Sequence, residues 1–229
     1  MAVRALRRVR AVLAPRRHMR EAFTELYERR GWLEPETVSG RGSTLASTRG
    51  VRLAIPALAR ELGVKSVLDA GCGDGHWFRE MGLALELYVG VEVVEELARR
   101  NRECWGGEGR ELVALDITRD ALPCVDLIVC RDVLVHLKNH HVLAALGNFA
   151  RSGSRYLLAT TFTGDRERAN VDGPLGGWRP IDLRRAPFSL GEPERLVSEA
   201  DDVEDDRYRD KSLGLWRLRC AVSSGGAAR

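Results

Sequence analysis

The chain has 229 residues, 44% of them apolar, which is enough for one sizeable core but short for two full domains. Lys and Arg exceed Asp and Glu by 36 to 33, a formal net charge of +3, so the molecule as a whole is not an electrostatic trap for nucleic acid. No apolar run approaches the roughly 18 residues of a membrane span, and five scattered cysteines form no Cys-x-x-Cys pair, which predicts a cytoplasmic protein with free thiols and neither a disulfide frame nor a zinc cluster.

Val3, Leu6, Val9, Val12 and Leu13 recur at helical spacing among the seven arginines of the first 20 residues, until Pro15 stops the pattern. A second helix is expected over residues 19–30, with Phe23, Leu26 and Tyr27 on one face and Gly31 ending it. Residues 35–50 are rich in Gly, Ser and Thr, as befits a surface loop or a cover over a ligand. Residues 1–50 are therefore assigned to a helical N-terminal extension and candidate lid.

From residue 51 helices and strands alternate. Helix 51–62 precedes strand 65–70, a helix opens near Gly75, and strand 85–91, helix 94–104, strand 111–115 and the apolar run 125–130 follow. Helix 139–151 and strand 155–160 continue the series. Continuously apolar strands separated by helices imply a parallel sheet covered on both faces. The last stretch, 213–222, alternates in character and predicts an antiparallel edge strand paired with one near 194–198. The α/β domain is placed at 51–222, with a frayed tail at 223–229.

The most informative segment is Val67-Leu-Asp-Ala-Gly-Cys-Gly-Asp-Gly75, an apolar strand entering a glycine turn with acids at Asp69 and Asp74. Gly71, Cys72 and Gly73 bring backbone amides against a ligand. The dinucleotide fingerprint wants its third glycine one position later, where His76 stands, and two acids would repel a pyrophosphate. The same acids suit the ammonium and sulfonium of S-adenosylmethionine. Glu92, closing the second strand 19 residues after Gly73, is placed to accept the ribose hydroxyl hydrogens, with Val93 beside it. Asp116, closing the third, is placed to accept from an adenine amino group while Ile117 packs on the ring. After the fourth strand, Cys130-Arg131-Asp132-Val133-Leu134-Val135-His136-Leu137 lines the crevice at the carboxyl edge, with Arg131 on the cofactor side.

These motifs resemble the class I S-adenosylmethionine-dependent methyltransferases over about 65–160. Ser39-Gly-Arg-Gly-Ser-Thr-Leu45, Thr160-Thr-Phe162, Gly176-Gly-Trp-Arg-Pro180 and Lys211-Ser-Leu-Gly-Leu-Trp216 are similar to small bacterial methyltransferases of glycan and natural-product pathways. The resemblance implies a three-layer Rossmann-like sandwich with a seven-stranded, mostly parallel sheet and an antiparallel last strand. It also implies methyl transfer to a small-molecule acceptor. His136 is the candidate base, one helical turn past Asp132, which either caps a helix start or meets an amine substrate. Asn170 and Trp178 are the candidate substrate contacts, in a lid after the fifth strand with Asp165 and Arg166. His140 and His141 lack a carboxylate at ligand spacing, so no metal is expected. Two rival functions stay open: an RNA or protein methyltransferase using the arginine-rich start as a phosphate-tracking arm, and a noncatalytic S-adenosylmethionine-binding protein.

Overall fold

Seven strands form one sheet in the order β3-β2-β1-β4-β5-β7-β6. The computed structural model describes residues 19–164, 170–199 and 206–218. The helix expected over 3–13, most of the acidic stretch 201–206, Asp165, Arg166, Cys220 and the tail 223–229 lie outside the described residues.

Helix α1 covers 19–28, and a single 3-10 turn at Arg41–Ser43 breaks the loop that follows. Helix α2 (Arg49–Leu62) buries Val51, Ile55, Leu58 and Ala59, spaced by four, three and one, so one stripe meets the sheet. Gly63, left-handed at φ 63°, ends it by donating its N–H to the carbonyls of Ala59 and Arg60. Then come β1 (Ser66–Ala70), α3 (His76–Arg79), β2 (Leu87–Glu92), α4 (Glu95–Trp105), β3 (Arg110–Ala114), β4 (Leu127–Cys130), α5 (Asn139–Arg151), β5 (Tyr156–Phe162), β6 (Arg195–Ser198) and β7 (Lys211–Arg217). Within β1, Val67 packs into one core and Leu68 into the other, and Leu127 and Ile128 of β4 divide the same way. Both sheet faces are covered, which is why these strands read as unbroken apolar runs.

β1 to β5 run parallel to one another, whereas β7 runs antiparallel to both β5 and β6. The last strand is thus antiparallel as expected, but it is no edge. It begins two residues earlier, at Lys211, and lies between β5 and β6, with its first six residues buried. Within it Gly214 is small because of close packing: a Cβ there would run into the Trp216 ring. β6 is the open edge, short and mostly exposed, as edges commonly are.

The chain winds β1, β2, β3 to one side and then crosses back to place β4 against β1. That reversal opens a crevice beyond the carboxyl ends of β1 and β4, the place where such sheets bind ligands.

Candidate active site

One cavity of about 370 Å³ occupies this crevice. The loop after β1 forms its floor. Gly71 and Gly73 have φ of 82° and 56°, open to glycine without strain. Neither position has room for a side chain, since a Cβ on Gly71 would stand 2.5 Å from Val133 and one on Gly73 would collide with Ser39. Cys72 is buried between them, within reach of the Asn101 amide.

Three carboxylates line the cavity beside this loop. Asp69 is buried and accepts a 2.9 Å hydrogen bond from the Tyr88 hydroxyl. Burial pushes its pKa up to about 7, with the nearby Glu92 charge adding to the rise and Tyr88 and Arg131 opposing it. Glu92 accepts from the N–H groups of Val93 and Val94 at one oxygen and of Gly73 at the other. Burial raises its pKa too, against the pull of those three donors. Asp116 uses Oδ1 to cap its own turn, accepting from the Thr118 N–H at 2.9 Å and its hydroxyl at 2.6 Å. Val93 and Ile117 complete this side.

The opposite wall is built from the segment after β4 and from the N-terminal region. Asp132 sits at φ 56°, its N–H donating to the Thr160 hydroxyl and its carboxylate accepting from the Lys211 ammonium at 2.6 Å. Burial works to raise the Asp132 pKa, but the Lys211 and Arg131 charges prevail and hold it well below the usual carboxylate range. His136 lies on a 3-10 turn, Leu134–His136, and faces the same cavity. Its Nδ1 is buried without a hydrogen-bond partner. Burial lowers its pKa, outweighing the Asp132 charge and the Gly177 carbonyl that raise it.

The loop over residues 37–47 is pinned at two points. Asp74 accepts from the Thr37 hydroxyl, the Val38 N–H and the Ser39 hydroxyl. Arg131 donates to the Gly42 carbonyl at 2.8 Å. Val38 to Ser43 consequently wall the cavity.

The family model for the methyltransferase domain matches residues 16–188, more than half of the chain. The chain belongs to the methyltransferase domain family. No curated protein sequence matches it. Among solved structures, this methyltransferase is similar to an S-adenosylmethionine-dependent methyltransferase of Leishmania major, with 17% identity over 86% of this chain and 83% of that one and a TM-score of 0.64. It is also similar to the N-methyltransferase NodS of Bradyrhizobium japonicum in complex with S-adenosylhomocysteine, with 15% identity, 85% and 97% coverage and a TM-score of 0.60. A third is the 1,6-didemethyltoxoflavin-N1-methyltransferase of Burkholderia thailandensis, with 16% identity, 87% and 86% coverage and a TM-score of 0.59. At such identities the likeness shows the fold.

The methyltransferase's cofactor is S-adenosylmethionine, and the donor set fits it. Carboxylates at Asp69, Glu92 and Asp116 suit a cation with ribose hydroxyls and an amino group, and would repel a pyrophosphate. Of the residues expected at the site, Asp69, Gly71, Cys72, Gly73, Glu92, Val93, Asp116, Ile117, Arg131, Asp132, His136 and Trp178 all line the cavity.

Four have different surroundings from those expected. Arg131 spends its guanidinium on Glu199, at 2.6 and 2.9 Å, and on Gly42, so it braces the wall instead of reaching for a cofactor. Asp74 is turned away from the cavity, onto the 37–39 loop. Asp132 caps no helix, because the turn at Leu134 starts without a side-chain cap. Asn170 does not line the cavity: at φ 63° and buried, its amide donates to the carbonyls of Asp182 and Ala186 and accepts from the Asp182 N–H. A buried amide satisfied by backbone on both sides holds a loop and has nothing left for a substrate.

Sequence reasoning did not single out Trp32, Tyr208, Lys211 or Glu199 as site residues. Trp32 packs on His136 at 5.1 Å between ring centroids, and Tyr208 on Trp178 at 5.1 Å. Among the described residues no group of three or more His, Cys, Asp or Glu stands where it could hold a metal.

Proposed function

We propose that the methyltransferase acts on a hydroxyl or amine of a small-molecule acceptor, sugar-containing or another natural product, in the cytoplasm. The observation that carries this is the single cavity shared by the carboxylate row and the His136 wall. Its volume, about 370 Å³, lies in the range of small-ligand sites. The small-molecule methyltransferases among proteins of the same fold support the acceptor class, and the free thiols of Cys72, Cys104, Cys124 and Cys130 support the compartment.

S-adenosylmethionine supplies a methyl group activated as a sulfonium. What is left to the protein is to position the acceptor and take one proton. In this reading Glu92 receives the ribose hydroxyls, Asp116 receives the adenine amino group through Oδ2, and Val93 and Ile117 pack on the rings. Gly71, Cys72 and Gly73 offer backbone at close range. His136, kept neutral by burial, takes the acceptor's proton, and Asp132, kept ionised by Lys211, stabilises the imidazolium so formed.

Calorimetry of the two cofactor carboxylates tests the assignment. Glu92→Ala and Asp116→Ala are each expected to weaken S-adenosylmethionine binding by roughly 1 to 3 kcal/mol. Unchanged affinity in both folded variants sinks the reading.

A further inference from the structure

Part of the cavity wall is made of aromatic rings from elements other than the glycine loop and the strand ends that carry Glu92 and Asp116. Phe23 and Trp32 come from α1 and the turn after it, with ring centroids 5.8 Å apart. Trp32 then meets His136, and across the chain Trp178 meets Tyr208. Trp178 is backed by Phe162, a fully buried core ring, at 5.8 Å. All four of Phe23, Trp32, Trp178 and Tyr208 line the cavity and are only half buried. Phe23, Trp178 and Tyr208 rest on the core on one side while also lining the cavity. Half-buried rings around a void present faces to a ligand.

Arg41, Ser47 and Arg207 also line the cavity, but several of the polar groups beside the rings are already occupied. Asp132 is held by Lys211. The Ser39 hydroxyl is bonded to Asp74, and the Ser43 hydroxyl donates to the Ser39 carbonyl. No Asn, Gln or Thr lines the cavity among the described residues. A sugar ring carries a hydroxyl on nearly every carbon, and burying these without partners is unfavourable.

We infer that the acceptor half of the cavity receives a flat aromatic ring, stacked among Trp32, Trp178 and Tyr208, with its hydroxyl or amine turned to His136. The identity of the reacting group rests on the methyl-transfer reading, whereas the preference for a flat ring does not.

The test uses the full chain saturated with S-adenosylhomocysteine and two probes, 2-naphthol and methyl α-D-glucopyranoside. Binding is followed by tryptophan fluorescence and saturation-transfer NMR. 2-Naphthol is expected to bind at least about tenfold tighter than the glucoside. Trp32→Ala and Trp178→Ala are each expected to weaken it roughly threefold to tenfold, with S-adenosylhomocysteine affinity unchanged. If a variant fails to fold, nuclear Overhauser contacts between naphthol and the indole protons of the wild type give the same answer. Equal or tighter binding of the glucoside overturns the proposal, as does naphthol binding that neither variant weakens and that shows no indole contact. Naphthol binding with the expected tryptophan dependence in a protein that takes up no S-adenosylhomocysteine overturns the methyl-transfer reading and leaves the aromatic site standing.

Discussion

Burial moves the pKa values of two side chains at the site in opposite directions. Asp69, with its pKa pushed to about 7, carries a proton over much of the range below neutrality. A cationic ligand favours the carboxylate, so binding lowers that pKa and expels the proton. Affinity for S-adenosylmethionine should therefore rise as pH is raised through about 7, with proton release visible by calorimetry in buffers of different ionisation enthalpy. Asp69→Asn should flatten the pH dependence, and an equally steep profile in the variant counts against the assignment. His136 has the opposite sign, its pKa depressed from 6.5 by burial. Only its neutral form accepts a proton, so activity should fall on an acidic limb lying below 6.5. His136→Asn should lower kcat about 10²- to 10⁴-fold, abolish that limb, and leave cofactor affinity nearly unchanged. Near-normal kcat with the same limb would make positioning the whole mechanism and His136 a wall residue.

At the scale of elements, four parts of the chain are tied by one buried ionic cluster. Arg131 follows β4, Lys211 opens β7, Glu199 follows β6, and the 42–47 loop hangs from Arg131. Glu199 and Lys211 are 3.2 Å apart, and the side chains of Arg131, Glu199 and Lys211 are 2%, 0% and 3% exposed, so no solvent screens them. Removing one member leaves buried charge uncompensated. Glu199→Gln should destabilise the fold by about 3 to 5 kcal/mol in thermal denaturation and speed hydrogen exchange across residues 40–47. A melting temperature equal to the wild type would show that the cluster is dispensable. The cluster also explains why Arg131 is unavailable to a cofactor: its donors are the hinge between sheet and loop.

For the whole molecule, net charge of +3 sets the expectation against a polyanionic acceptor. Turnover of a neutral small acceptor should change less than about twofold between 50 and 200 mM salt, because no counterions are released. A protein making 6 to 10 phosphate contacts would lose roughly 10³- to 10⁵-fold in affinity over that range. Such a loss, measured by fluorescence anisotropy on single-stranded RNA together with methylation of that RNA, would favour the arginine-rich arm as a nucleic-acid tracker.

The sequence by itself determined the parallel part of the sheet, the glycine loop and the placing of Glu92 and Asp116 at strand ends. Each of these is local: strand runs show burial on two faces, Gly71 and Gly73 mark a turn closed to side chains, and Glu92 and Asp116 end adjacent strands. Tertiary structure alone decided the partners. Asn170 and Asp74 look like ligand-seeking groups in the chain, yet backbone satisfies the first, and the 37–39 loop, chiefly through its hydroxyls, satisfies the second. Arg131 meets Glu199 across 68 positions, and Trp32 meets His136 across more than a hundred, separations at which no periodicity carries information. The order of the last two strands was hidden for the same reason. Where a strand lies in a sheet depends on which edges its neighbours leave unpaired, and Lys211–Arg217 pairs with both β5 and β6.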